Sequence, residues 1–93
     1  MKNTEDLVSE DFESRIDETF MIDDNEVSLK SVDVRDAPSP KMRKPVSLLL
    51  KSEEPLPVED GVLGFAHPDL GQHMLLVHRV ADPDDILYEI ILA

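Results

Sequence analysis

Gly61-Val62-Leu63-Gly64-Phe65-Ala66-His67-Pro68-Asp69-Leu70-Gly71-Gln72-His73-Met74-Leu75-Leu76-Val77-His78-Arg79-Val80-Ala81, residues 61–81, reads as strand, turn, strand. Two short apolar runs flank a Pro, Asp and Gly cluster, which is the composition of a hairpin. In the first run, Leu63 and Phe65 point the same way. Gly64 between them weakens the strand, so it marks a bulge or a place where a neighbour packs closely. The segment His67-Pro68-Asp69-Leu70-Gly71 supplies the turn. With strands at about 61–67 and 73–81, this stretch sets the pattern for the whole chain.

The same punctuation repeats outward in both directions. Prolines stand at 38, 40, 45, 55, 57, 68 and 83, and the apolar runs lie between them. Proline has no backbone donor for a strand ladder, so these positions mark loops and strand ends. Further strands are expected at about 19–22, 27–35, 46–51 and 86–92. The cluster Asp23-Asp24-Asn25-Glu26 is a tight turn, and Asp82-Pro83-Asp84-Asp85 is another. Val27 and Leu29 share one side of their strand, whereas Val32 and Val34 share the other. That slip of one residue places a bulge near Lys30 and Ser31. The run Leu48-Leu49-Leu50 implies burial on both faces, and so does the last strand, whose single charge is Glu89.

One helix is expected, at about 9–16, because Val8, Phe12 and Ile16 recur every fourth residue. Ser9 is its expected N-cap, with Glu10 and Asp11 in the first turn. Two turns are marginal in isolation, so the helix must dock as a lid on the open end of a β structure. Several short antiparallel strands cannot leave apolar edges exposed without inviting aggregation. The chain, 1–93, is therefore expected to be a single all-β domain, a small antiparallel barrel or two-layer sandwich of about six strands with one short N-terminal helix.

Composition narrows the function. The 93 residues carry 9 Lys and Arg against 21 Asp and Glu, a net charge of −12. Nucleic-acid binding needs clustered cations, so it is not expected. The absence of cysteine excludes disulfides, thiolate zinc sites and thiol catalysis. No apolar run approaches the ~20 residues of a membrane helix. The opening Met-Lys-Asn-Thr-Glu-Asp has no secretion-signal pattern, and a soluble cytoplasmic protein is the expectation. Ser47 lacks the flanking glycines of a nucleophile elbow, and Gly61, Gly64 and Gly71 open no phosphate-binding helix. No enzyme and no cofactor are expected.

Three features could still carry chemistry. His67, His73 and His78 fall within twelve residues, near Asp69, and histidine is the commonest transition-metal ligand. His73 and His78 are five apart, however, which puts them on opposite faces of a strand. Ordinary turn and surface histidines account for the cluster better than a metal site. The acidic groups Asp23, Asp24, Glu26 and Asp82, Asp84, Asp85 lack the spacing of a helix-flanked calcium loop and suit solvated turns. The third feature is electrostatic. Residues 37–52 hold Lys41, Arg43, Lys44 and Lys51 with no acid, whereas the segments on either side are each at −8. Lys41, Arg43 and Lys44, with Met42 as an apolar contact between them, form the first-choice surface for an acidic partner.

Glu10-Asp11-Phe12, Thr19-Phe20, Val46-Ser47-Leu48-Leu49-Leu50, Gly61-Val62-Leu63-Gly64-Phe65, the His67-Pro68-Asp69-Leu70-Gly71 turn and Leu75-Leu76-Val77 together resemble an uncharacterised family of small bacterial all-β proteins of unknown function. The resemblance runs from about Leu7 to Tyr88. It departs from the family at Leu63 and Leu50, where aromatics are usual, and near Ser52 and Arg79, where a glycine and a proline are usual. Its motifs specify turns and buried positions rather than catalytic groups. The neighbourhood of such genes beside phage-tail-collar-like ones implies an accessory or assembly role. The reading that follows is a non-enzymatic interaction or assembly module with a protein partner or self-association. The alternative is a small-ligand or metal-binding domain using the barrel mouth and the histidines.

Overall fold

Closure is the decision that sequence left open between barrel and sandwich, and the computed structural model shows a closed barrel with strand order β1-β2-β3-β6-β5-β4. It describes residues 7–34, 45–57 and 60–92. The strands are β1 (Thr19–Ile22), β2 (Asn25–Val34), β3 (Val46–Ser52), β4 (Asp60–His67), β5 (Gly71–Val80) and β6 (Ile86–Leu92). Every pairing is antiparallel. The apolar last strand lies between β3 and β5, so both its edges are used. Among the described residues no helix is long and apolar enough to cross a membrane.

Local chemistry explains the hairpins. Asp23 and Asp24 form a two-residue β1–β2 loop with φ of 46° and 68°. Both central residues of such a turn need positive φ, which aspartate tolerates better than most side chains. In β2 the register shifts between Leu29 and Ser31, and this slip turns the strand's second half over relative to its first. Of the leucine run, Leu48 and Leu50 enter the core, whereas Leu49 points outward, half-buried opposite Glu89.

The helix is shorter than its periodicity suggests. The segment α1 spans only Glu10–Glu13, and of the three spaced apolar residues only Phe12 is buried. Val8 and Ile16 remain 37% and 40% exposed. Ser9 caps with no side-chain bond; instead the Asp11 carboxylate accepts the Val8 N–H at 2.9 Å. The helix stops because the following residues have a better backbone partner. The Asp17 N–H donates to the Leu29 carbonyl at 2.7 Å, and the Leu29 N–H donates to the Glu18 carbonyl at 3.1 Å. Reaching β2 requires the chain to turn at Asp17, whose φ is 70°.

Each end of the barrel receives its own plug. At the end where β1, β3 and β5 begin, Phe12 packs 6.1 Å from Phe20 and 6.3 Å from Phe65, between ring centroids. Phe20 and Phe65 stack at 5.2 Å. At the other end the loop after β3 folds Leu56 into the core, where its N–H donates to the Tyr88 hydroxyl at 2.8 Å. Tyr88 is fully buried, so its hydroxyl has no water to turn to. Tyr88→Phe should therefore cost about 1–3 kcal/mol, the penalty of stranding a buried amide donor. Urea unfolding measures it, and an unchanged midpoint would show that the Leu56 amide finds another acceptor.

Candidate functional site

The basic residues Lys41, Met42, Arg43 and Lys44 lie outside the described residues. The histidines lie inside them: His67 and His73 face inward from the neighbouring strands β4 and β5, and His78 faces outward. His67, at the end of β4, is buried. It accepts the Asp69 N–H at Nδ1, 3.1 Å away, and donates from Nε2 to Glu18 Oε1 at 2.9 Å. Its ring also lies 4.6 Å from that of Phe20. The accepting Nδ1 assigns the proton to Nε2. His67 thus ties the β4–β5 turn to the segment entering β1, and Arg15 adds a second tie, 3.6 Å from the Asp69 carboxylate. His67→Ala should lower the unfolding free energy by about 2–3 kcal/mol through the two lost bonds and the lost ring contact. His67→Gln, which keeps a donor and an acceptor, should recover part of it. Equal losses in the two would show that packing alone matters.

His73 points inward, its Nε2 2.7 Å from the Leu70 carbonyl. His78 points outward and meets Glu89 at 2.9 Å. Glu89 also accepts the Ser47 hydroxyl proton. Among the described residues no group of three or more His, Asp or Glu is arranged to hold a metal ion.

The acidic turns bind their own backbone. Asp82 Oδ1 accepts the Asp84 and Asp85 N–H groups, both at 2.9 Å, and Asp85 faces Lys51 at 3.3 Å. The Asp84 N–H, then the Asp85 N–H, hold the Asp82 carboxyl below its ordinary value of 3.8. A depressed folded value means these bonds stabilise the turn above the ordinary pKa and are lost as pH falls through the lower one. A carbon-13 titration should place the Asp82 midpoint below 3.8.

The candidate site is on the outside of the barrel, on residues to which sequence reasoning assigned no role. Burial alternates strictly along β5 from Gly71 to Val77, with His73, Leu75 and Val77 inside. Met74 and Leu76 are therefore outside, 64% and 61% exposed, and Val62, paired with Leu76, is 60% exposed. The outward residues of β4 are Val62, Gly64 and Ala66. Two of these are very small, and their flanking partners are long. Met21 pairs with Ala66 from β1, while Gln72 and Met74 pair with Ala66 and Gly64 from β5. The result is a furrow along β4, floored by Gly64 and Ala66 and walled by Met21 and Met74. It opens into a depression of about 420 Å³, continued by a second of about 310 Å³ toward Pro68.

The depth of the furrow depends on Gly64. A Cβ there would stand 3.0 Å from Asp23 Oδ1 and 4.0 Å from Met74 Sδ. That oxygen accepts the Gly64 N–H at 2.8 Å, and the Asp23 N–H donates to the Gly64 carbonyl at 2.9 Å. The glycine thus marks close packing by a neighbour rather than a bulge. Met74-Leu75-Leu76-Val77 is apolar without a break, so the sequence carries no period-two signal there. Sequence alone could not say which of Leu75 and Leu76 faced the core.

Against protein families, residues 7–92 match the model described as Domain of unknown function (DUF6916). No curated protein and no solved structure matches the chain.

Proposed function

We propose, for a chain that belongs to the DUF6916 family, a non-enzymatic interaction or assembly module that docks a protein partner on the outer face of β4 and β5. The carrying observation is the group Val62, Met74 and Leu76, adjoining apolar side chains that are each 60% exposed or more. Apolar side chains scattered singly on a surface need no explanation, but adjoining ones beside a furrow mark contact surfaces. Methionine walls suit this role because the unbranched thioether adapts to what it touches. An accessory place in a phage-tail-like particle is the finer form of the proposal; its support is the gene neighbourhood that the family resemblance implies, not the turn and strand motifs.

The test is site-specific photo-crosslinking in cells, with a photoreactive phenylalanine at Leu76 or, as control, at Glu13. A discrete protein adduct from position 76 and not from 13 is the expected result. Absence of any adduct at 76, with the protein folded and present, overturns the reading.

A further inference from the structure

We infer that the β4 furrow takes a basic, apolar segment of its partner, laid along Gly64 and Ala66 with apolar side chains between Met21 and Met74 and cations on the acidic rim. This rests on the docking reading above and adds the partner's chemistry. Asp24 lines the furrow, and Glu26 and Asp60 are exposed farther along the same outer face. Asp24 stands in the turn beside Gly64, Glu26 pairs with Met21, and Asp60 begins β4. Among the described residues no Lys or Arg pairs with any of the three; Arg15, Lys30 and Lys51 face Asp69, Asp17 and Asp85 elsewhere. An apolar groove with an unneutralised anionic rim is complementary to a segment that alternates aliphatic and cationic residues.

Charge also argues against the outer face of a second copy as the occupant. Each copy carries −12. Face-to-face contact would set one acidic rim against another, and like charges across an interface suppress association. The narrow floor selects for shape as well. Gly64 and Ala66 admit side chains from above, as an extended segment presents them at every second residue. Lys or Arg side chains on the flanking residues are long enough to bend back to the rim with their charged ends.

The experiment has two arms. In the first, mass spectrometry identifies the segment crosslinked from position 76. A segment with Lys or Arg beside aliphatic residues is expected. An acidic or uncharged segment, or the barrel face of a second copy, overturns this inference while leaving the docking reading intact; failure to crosslink overturns the docking reading itself. In the second arm the peptide Gly-Lys-Leu-Lys-Leu-Lys-Leu-Lys-Gly and its glutamate counterpart are titrated into the purified protein by calorimetry at physiological salt. The lysine peptide should bind and the glutamate peptide should not. Asp24→Asn with Glu26→Gln, and separately Met74→Ser, should each weaken binding about tenfold, whereas Glu13→Gln with Asp84→Asn, the same charge change at a distance, should weaken it less than about twofold. Asn tolerates the positive φ at position 24, and Met74 is on the surface, so these variants keep the fold. Equal weakening by near and distant charge changes, or none from Met74→Ser, would reduce the effect to net charge and overturn the inference.

Discussion

Phe65→Ala should remove about 3–5 kcal/mol of unfolding free energy, the range for deleting a buried aromatic ring. Domains of this size hold about 5–15 kcal/mol in total, so the loss takes a large share of it. The site explains why the cost should lie high in the range. Phe65 stacks on Phe20 at 5.2 Å and touches Phe12, the residue by which α1 closes the barrel end. Three elements meet on one ring, and a rigid closed sheet cannot collapse into the vacated volume. Urea unfolding should show a lower midpoint with an unchanged slope. Phe65→Leu, which retains most of the volume, should cost markedly less. If the alanine and leucine variants unfold together, the aromatic cluster is not what fastens the helix to the barrel.

Asp23→Ala should cost about 2–4 kcal/mol, although Asp23 is exposed. The reason is its place in the seam. β1 joins β4 through two residue pairs, Met21 with Ala66 and Ile22 with Phe65. Beyond them the Asp23 carboxylate stands in for a ladder carbonyl by accepting the Gly64 N–H. Alanine removes that acceptor and places a less tolerant residue at a φ of 46°. Three variants separate the two causes. Asp23→Asn keeps both acceptor and tolerance and should be mild. Asp23→Gly keeps only the tolerance and should fall between. Hydrogen exchange should report the damage locally, in β1 and around Gly64, before global unfolding. Met21 rides on β1 and walls the furrow, so an open seam should also weaken docking. If Asp23→Ala matches the parent in stability and exchange, the short ladder alone closes the barrel.

The two predictions mark what was readable from the chain and what was not. The Asp23-Asp24 turn, the slip near Lys30 and the His67-Pro68 turn follow from backbone preferences a few residues long. So does the single buried position Phe12, which the helical spacing of Val8, Phe12 and Ile16 brought to notice. That spacing misled about length, because the pairing of Asp17 and Glu18 with Leu29 is a contact between distant parts of the chain. Strand parity placed His73 and His78 on opposite faces of β5, as the structure has them, but it said nothing of His67, which faces inward like His73. The partner surface expected at Lys41, Met42, Arg43 and Lys44 lies outside the described residues, and nothing in the sequence assigned a facing to Val62, Met74 or Leu76.

By itself, the sequence determined an acidic, cysteine-free, all-β domain with a short N-terminal helix, though not that helix's length, and its hairpin turns at identifiable residues. These properties depend on composition and on short-range φ, ψ preferences, which each residue carries wherever it goes. Only the tertiary structure decided that β1 closes on β4, and hence that Gly64 and Ala66 floor a furrow. An apolar residue in a strand has no inside or outside until its neighbours fix the register, and those neighbours lie more than forty residues away in the chain, as Met21 does from Ala66.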